Sequence, residues 1–495
     1  MKKSVALLFA FIFLAASCLI VANPASSSVA VAENTWAEKA PLPQGKNGVL
    51  VVVDGKIYAI GGTAQNYVSG VFPLSGYQNA VDTNYEYDPA LDKWTIKPPM
   101  PTSRYGFATV VYENSIYCIG GVLNLLDVYG GVVVPTTAVE VFHISTNKWE
   151  NKTSMPTRRG NFATMVYEDD IYCIGERVNE VYDIATDTWQ TKAPMPFNGS
   201  IASANVVNGK LYVISDSLMY VYNPAMDTWF TRASIQTEGN RIVSAVIDRK
   251  IYVITENLTQ TYDTETDTVS IGAPPPTDFS AGIAFATTGK MAPRRIYILY
   301  GAVSVYDPEA DSWIIGAKMP TSSSSYALMN DKIYAIGGIT TTIISYRRIP
   351  SFPKDILAPN ISYSQLAANW EYTPFGYGTV PPVISVASPE NSNYTLSEVA
   401  LNFTVNRRVE WMRYSLDGNE NVTLTGNTTL TGLSAGLHNV TVYAKDEFGN
   451  TGVSETIVFS VAEEPFPAVP VAVASVATIA VVGVGLLVYF KKRKH

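Results

Sequence analysis

Residues 57–62 read IYAIGG, and after an intervening stretch residues 86–94 read EYDPALDKW. Ile57 and Tyr58 open a short apolar run of the kind that forms a buried strand, and Gly61-Gly62 frees the backbone where it must turn or pass close to a neighbour. In the second half, Tyr87 ends a strand, Asp88-Pro89 marks a turn and Trp94 begins another strand. Upstream, the apolar run at 49–53 is joined to Ile57 by Asp54-Gly55, a two-residue hairpin signal. The unit therefore predicts four short antiparallel strands.

The same unit returns along the chain. An aliphatic residue followed by Tyr occurs at Ile57, Ile116, Ile171, Leu211, Ile251, Ile296 and Ile333. An aromatic leading into a turn follows each, at Tyr87, Phe142, Tyr182, Tyr222, Tyr262, Tyr306 and Tyr372. A Trp then opens the fourth strand at Trp94, Trp149, Trp189, Trp229 and Trp313, with Val269 in its place once. The last unit lacks its own Trp, and Trp36 precedes the first unit. The spacing thus predicts a circular array closed by the N-terminal strand, which removes the free sheet edges that an open array would expose.

These marks resemble the kelch repeat, most clearly in IYAIGG with EYDPALDKW and in IYCIGE with VYDIATDTW (residues 171–176 and 181–189). The resemblance implies an all-β, seven-bladed kelch-type β-propeller over 33–379. The diglycine is kept at Gly61-Gly62, Gly120-Gly121 and Gly337-Gly338 but replaced in the central units, for instance by Gly175-Glu176. The Tyr and Trp marks specify packing, so function is expected in loops.

Three loops are long, at 63–82, 122–135 and 339–366, in the first, second and seventh units. In a closed ring these are neighbours on one face. That face also receives Lys46, Arg104, Tyr105, Arg158, Arg159 and Arg241, cations and an aromatic suited to an anionic glycan or acidic peptide. No catalytic constellation is legible. The chain has three histidines, His143, His438 and His495, far apart in sequence, and acidic pairs such as Asp183 with Asp187 sit in predicted turns. No cofactor or metal is expected.

Beyond 380 the pattern changes to alternating strands around Trp411, predicting an immunoglobulin-like β-sandwich over 380–462. Asp417 and Asp446 lie in turns of this region, without an ordered series of calcium ligands. The run VYAKDEFGNTG (442–452) resembles the last hairpin of immunoglobulin-like stalk modules in prokaryotic surface proteins.

The two ends carry targeting signals. Residues 1–32, with Lys2 and Lys3 before an apolar run and Ala30-Val31-Ala32 at the end, read as a signal peptide. After a linker at 463–467, residues 468–490 read as a transmembrane helix, with the basic tail 491–495 cytoplasmic. The expected location is the cell membrane, single-pass, with the ectodomain outside. The whole chain has a formal charge of −8, and six of its basic residues lie in the two end segments, so the ectodomain is more acidic still and excludes a nucleic-acid partner. Cys118 and Cys173 occupy equivalent places in successive units, too far apart for a disulfide, and are expected as buried thiols.

Sequons occur at Asn151, Asn198, Asn257, Asn360, Asn393, Asn402, Asn421, Asn427 and Asn439, crowded in the second domain. The arrangement resembles archaeal cell-surface proteins. It implies a membrane-anchored extracellular binding or adhesion protein that recognises a protein or glycan and meets the bilayer through its C-terminal helix. The alternatives are a carbohydrate-active enzyme with its site at the propeller mouth and a structural component of the cell envelope.

Overall fold

The computed structural model describes residues 32–462 except 65–66, 69–79, 126–131, 161, 198–200, 202, 216–217, 237–241, 277–281, 322–324 and 350–355. Nearly all of the expected leader, the linker, the membrane helix and the basic tail lie outside the described residues, as do Arg241 and Asn198. Among the described residues no helix is long and apolar enough to cross a membrane. The chain divides into two compact units, one being Val31–Val380 and the other containing everything from Pro381 onward.

Seven four-stranded antiparallel sheets make up the described part of the first unit, together with two small sheets built from inserts. Sheet 1 is typical, with strands Asn47–Val53, Lys56–Thr63, Asn84–Asp88 and Lys93–Lys97 in spatial order. Sheets 2 to 6 follow in chain order. Sheet 7 consists of Ser325–Met329, Lys332–Ile336 and Asn369–Thr373, and its outermost strand is the N-terminal Thr35–Glu38, with Trp36 opposite Tyr372.

The core lies between sheets. One cluster joins Ile57 and Tyr87 of sheet 1 to Tyr334 and Ile336 of sheet 7, the next joins Tyr58 and Ile60 of sheet 1 to Ile116 and Phe142 of sheet 2, and so on around. The last joins Tyr297 and Val305 of sheet 6 to Ile333 and Tyr372 of sheet 7. Each sheet thus packs on the one before and the one after, and the ring closes as a β-propeller. Fully burying each such aromatic or aliphatic side chain contributes about 1.5–3 kcal/mol.

A polar staple repeats with the apolar one. The Tyr that ends the third strand donates its hydroxyl to an Asp five positions later, as in Tyr87 to Asp92 at 2.7 Å and Tyr182 to Asp187 at 2.6 Å. The same carboxylate accepts a backbone N–H from the preceding sheet's outer edge, Ala40 for Asp92 and Thr153 for Asp187. These turn residues are left-handed, with φ between 45° and 57°, which Asp and Asn tolerate better than most side chains. The following Trp donates its indole N–H across the same gap, Trp94 to Ala40 O and Trp189 to Thr153 O, each at 2.8 Å.

Asn34 completes the series. Its φ is 52°, and its side-chain oxygen accepts the Ala317 N–H of sheet 6 at 2.7 Å and the Tyr372 hydroxyl at 2.9 Å. Trp36 packs on Tyr372 with ring centroids 5.0 Å apart, the separation of Tyr87 and Trp94. The N-terminal strand therefore supplies the turn residue and the Trp that sheet 7 lacks.

The diglycines have a steric cause. Gly62 has φ 92°, and a Cβ there would meet Asn47 O at 1.8 Å, because the chain entering sheet 1 passes over it. In sheet 3, where no insert follows, Glu176 and Arg177 form the two-residue turn with φ of 51° and 65°. Cys118 and Cys173 are buried free thiols, and burial pushes each up to about 12.

The second unit holds two sheets face to face. Ile384–Ser388, Val399–Val405 and Thr428–Leu430 form one, and Gly436–Lys445 is central to the other, between Trp411–Leu416 and Ile457–Val461. Alternate residues Val399, Leu401 and Phe403 meet Val440, Val442 and Phe459 in its core. Trp411 is not in that core; it is half-buried at a strand start, with the Arg413 guanidinium 4.5 Å above its ring.

Candidate functional site

The described residues of the sheet 7 insert are strands rather than a loop, and a short piece of the sheet 1 insert joins them. Ile339–Ile349 and Ile356–Gln365 form a long hairpin, and Tyr67–Val68 from the first insert adds to it, with Tyr67 opposite Tyr363 and Val68 opposite Ser362. The β-branched run ITTTII explains the strand, and carries the signal that a loop reading misses. The insert of sheet 2 forms a separate hairpin, Val122–Leu125 with Val132–Pro135. On the long hairpin Ile343 and Tyr346 are 54% and 62% exposed.

The predicted cations divide. Arg158 is exposed and Tyr105 half-buried, and Tyr105 exchanges backbone hydrogen bonds with Val122 at the base of the sheet 2 insert. Arg104, Arg159 and Lys46 are instead buried, which corrects their reading as solvent-facing loop cations. The Arg104 guanidinium pairs with Glu140 and donates to Cys118 O at 2.9 Å. Arg159 pairs with Glu180 at 2.8 Å and donates to Cys173 O at 3.0 Å. Burial pulls the Arg159 guanidinium below its usual value, and the Glu180 charge opposes that pull. Each carboxylate also accepts a threonine hydroxyl, Thr102 on Glu140 and Thr157 on Glu180. Both arginines are enclosed struts, with no free face for a ligand.

Lys46 occupies the same place in sheet 1, but Tyr85 stands where the other two sheets have Glu140 and Glu180. Its ammonium lies 4.7 Å above the Tyr85 ring and donates to Ala59 O at 2.9 Å, Thr83 O at 3.1 Å and Thr83 Oγ1 at 2.8 Å. Burial lowers its pKa to about 7, partly opposed by the Asp82 charge.

At the opposite ends of the strands, a cleft of about 450 Å³ is lined by Asp248, Arg249, Lys250, Tyr252, Glu265 and Arg294, among others. Its arginines are engaged within it, Arg249 with Glu265 and Arg294 with Asp248 at 3.5 Å. The turn acids Asp183 and Asp263 cap their own hairpins, Asp183 accepting from Thr186 N and Asp263 from Glu265 N. Among the described residues no three His, Cys, Asp or Glu side chains gather as metal ligands.

Asn151, Asn257, Asn393, Asn402, Asn421, Asn427 and Asn439 are all exposed, and Asn360 lies on the long hairpin. In the second unit, Asp446 is engaged by Arg407 at 3.4 Å and by Phe448 N and Asn450 N. His438 is buried, with Nδ1 2.8 Å from Asp417 Oδ2 and Nε2 2.7 Å from Ser434 O. Two acceptors facing both ring nitrogens require an imidazolium, and these bonds raise its pKa.

Comparison with known proteins agrees with this geometry. The Kelch motif matches residues 45–101 and 103–156, which span sheets 1 and 2 with the chain leading into each. The chain carries kelch repeats. It is 35% identical over 148 residues to Kelch-like protein terF of Aspergillus terreus, covering 29% of this chain and 30% of that protein. It is 30% identical over 129 residues to the human Kelch repeat and BTB domain-containing protein 12, covering 26% and 20%. Over 95 residues it is 40% identical to Halomucin of Haloquadratum walsbyi, covering 18% of this chain and 1% of that protein. The chain thus spans less than a third of the length of these relatives, and the likeness is one of repeats.

Proposed function

We propose that this chain is a membrane-anchored extracellular binding protein whose seven-bladed kelch propeller recognises a protein or glycan through its insert-bearing face. The observation that carries the reading is the pairing of the inserts of sheets 1 and 7 into an added sheet with Ile343 and Tyr346 exposed on it. Kelch repeats support a protein-interaction role, and the enclosed arginines leave Tyr105, Arg158 and the insert strands as the contact surface. The anchor and the outside location rest on the apolar run 468–490, the basic tail and the leader. The two-sheet core of the second unit supports reading it as an immunoglobulin-like sandwich. The exposed sequons are glycan-bearing in this account.

The test is binding of the full chain in nanodiscs to glycan arrays and to cell-surface proteins, beside a Tyr105→Ala/Arg158→Ala variant. Saturable binding by the parent and its loss in the variant, with an unchanged melting temperature, is expected. Equal binding by both places the contact elsewhere.

A further inference from the structure

Three equivalent buried cations stand where the chain enters sheets 1, 2 and 3, and only Lys46 lacks a carboxylate partner. An arginine with a buried glutamate keeps one protonation state at any physiological pH. A lysine held by two carbonyls and one hydroxyl does not. As an ammonium, Lys46 fills all three acceptors. As a neutral amine it has two N–H bonds for Ala59 O and Thr83 O, and its lone pair accepts the Thr83 hydroxyl once that hydroxyl rotates away from the Tyr85 side chain. The site satisfies both forms without moving a heavy atom. What differs between them is the cost of a charge in a dry site.

The surroundings connect this site to the inserts. Thr83 ends the first insert, where its carbonyl accepts Gly61 N and where Val81 N donates to Gly62 O. On the other side the Lys46 loop meets sheet 7: Asn47 Oδ1 accepts Gly338 N, and Gly45 packs against Gln365 at the end of the long hairpin. The titratable groups facing the amine are Asp82, whose charge favours the ammonium, and Tyr85, whose ring lies beneath it. Segments 337–338 and 365–366 of sheet 7, packed on this loop, bring none.

We infer that Lys46 is a proton-operated latch: neutral, it holds the root of the first insert against sheets 1 and 7, and on protonation it loosens that root so that water can reach the charge. The latch is independent of which partner the face binds.

The repeat supplies its own control, because Gly120 N to Ala138 O and Thr136 N to Gly121 O in sheet 2 match Gly61 N to Thr83 O and Val81 N to Gly62 O in sheet 1. Amide hydrogen exchange of the full chain at pH 5.5 and 8.5, corrected for intrinsic rates, reads both. With the amine at about 7 when closed and 10.5 when open, protection of Gly61 and Val81 falls about thirtyfold at the lower pH. Protection of Gly120 and Thr136 is expected to hold. Lys46→Met should abolish the difference, and the comparison within the parent chain stands even where that variant folds poorly. Parallel behaviour of the two pairs at both pH values, or an unchanged pH response in a folded Lys46→Met protein, overturns the latch.

Discussion

Replacing Arg104 by Ala separates a strut from a ligand contact. Arg104 is fully enclosed, pairs with Glu140 and donates to Cys118 O, so its removal leaves a buried carboxylate held only by Thr102. Breaking a buried pair from one side costs about 3–5 kcal/mol. For the unit Val31–Val380, an unfolding entropy of about 2.1 cal/mol/K per residue converts that loss to a drop of about 4–7 °C in the melting temperature of its transition. Arg104→Met/Glu140→Leu removes both charges, and its stability should return to within about 1 kcal/mol of the parent. Scanning calorimetry with urea denaturation measures both variants. A melting temperature for Arg104→Ala within a degree of the parent rules out a buried strut, since a solvated loop cation behaves that way.

Two further outcomes follow from the same geometry. Asn34→Ala removes the acceptor shared by Ala317 N and Tyr372, so the ring should lose about 1–3 kcal/mol and exchange faster at Ala317, read by hydrogen exchange. The His438 imidazolium has a folded pKa above 6.5, so its stabilisation is fully present below pH 6.5 and is lost as pH rises through the raised value. Denaturation of the sandwich unit from pH 6 to 9 should show that decline, and His438→Gln should flatten it.

The repeat was legible because its marks are local: an aliphatic-Tyr pair and a turn recur within each unit, a Trp follows in five of them, and Trp36 stands displaced to the N-terminus. The polar staple was equally present in sequence, as an Asp five places after Tyr87, Tyr182, Tyr222, Tyr262 and Tyr306, but a turn-forming role accounts for those residues without revealing their second bond to the neighbouring sheet. Burial of Arg104 and Arg159 was not legible from their own neighbourhoods. It depends on Glu140 and Glu180, 36 and 21 residues away, which become partners only when the third strand is placed. Once that pairing is known, the substitution of Tyr85 at the matching place singles out Lys46. The insert strands were obscured by their position between repeat marks, although their β-branched composition favours extended backbone.

The most direct test of recognition at the insert-bearing face replaces residues 340–364 of the full chain by a two-residue Asn-Gly turn and measures partner affinity by surface binding, alongside the melting temperature. The shortened protein is expected to melt as a closed ring while its affinity falls at least tenfold. Unchanged affinity in a well-folded variant contradicts recognition at that face.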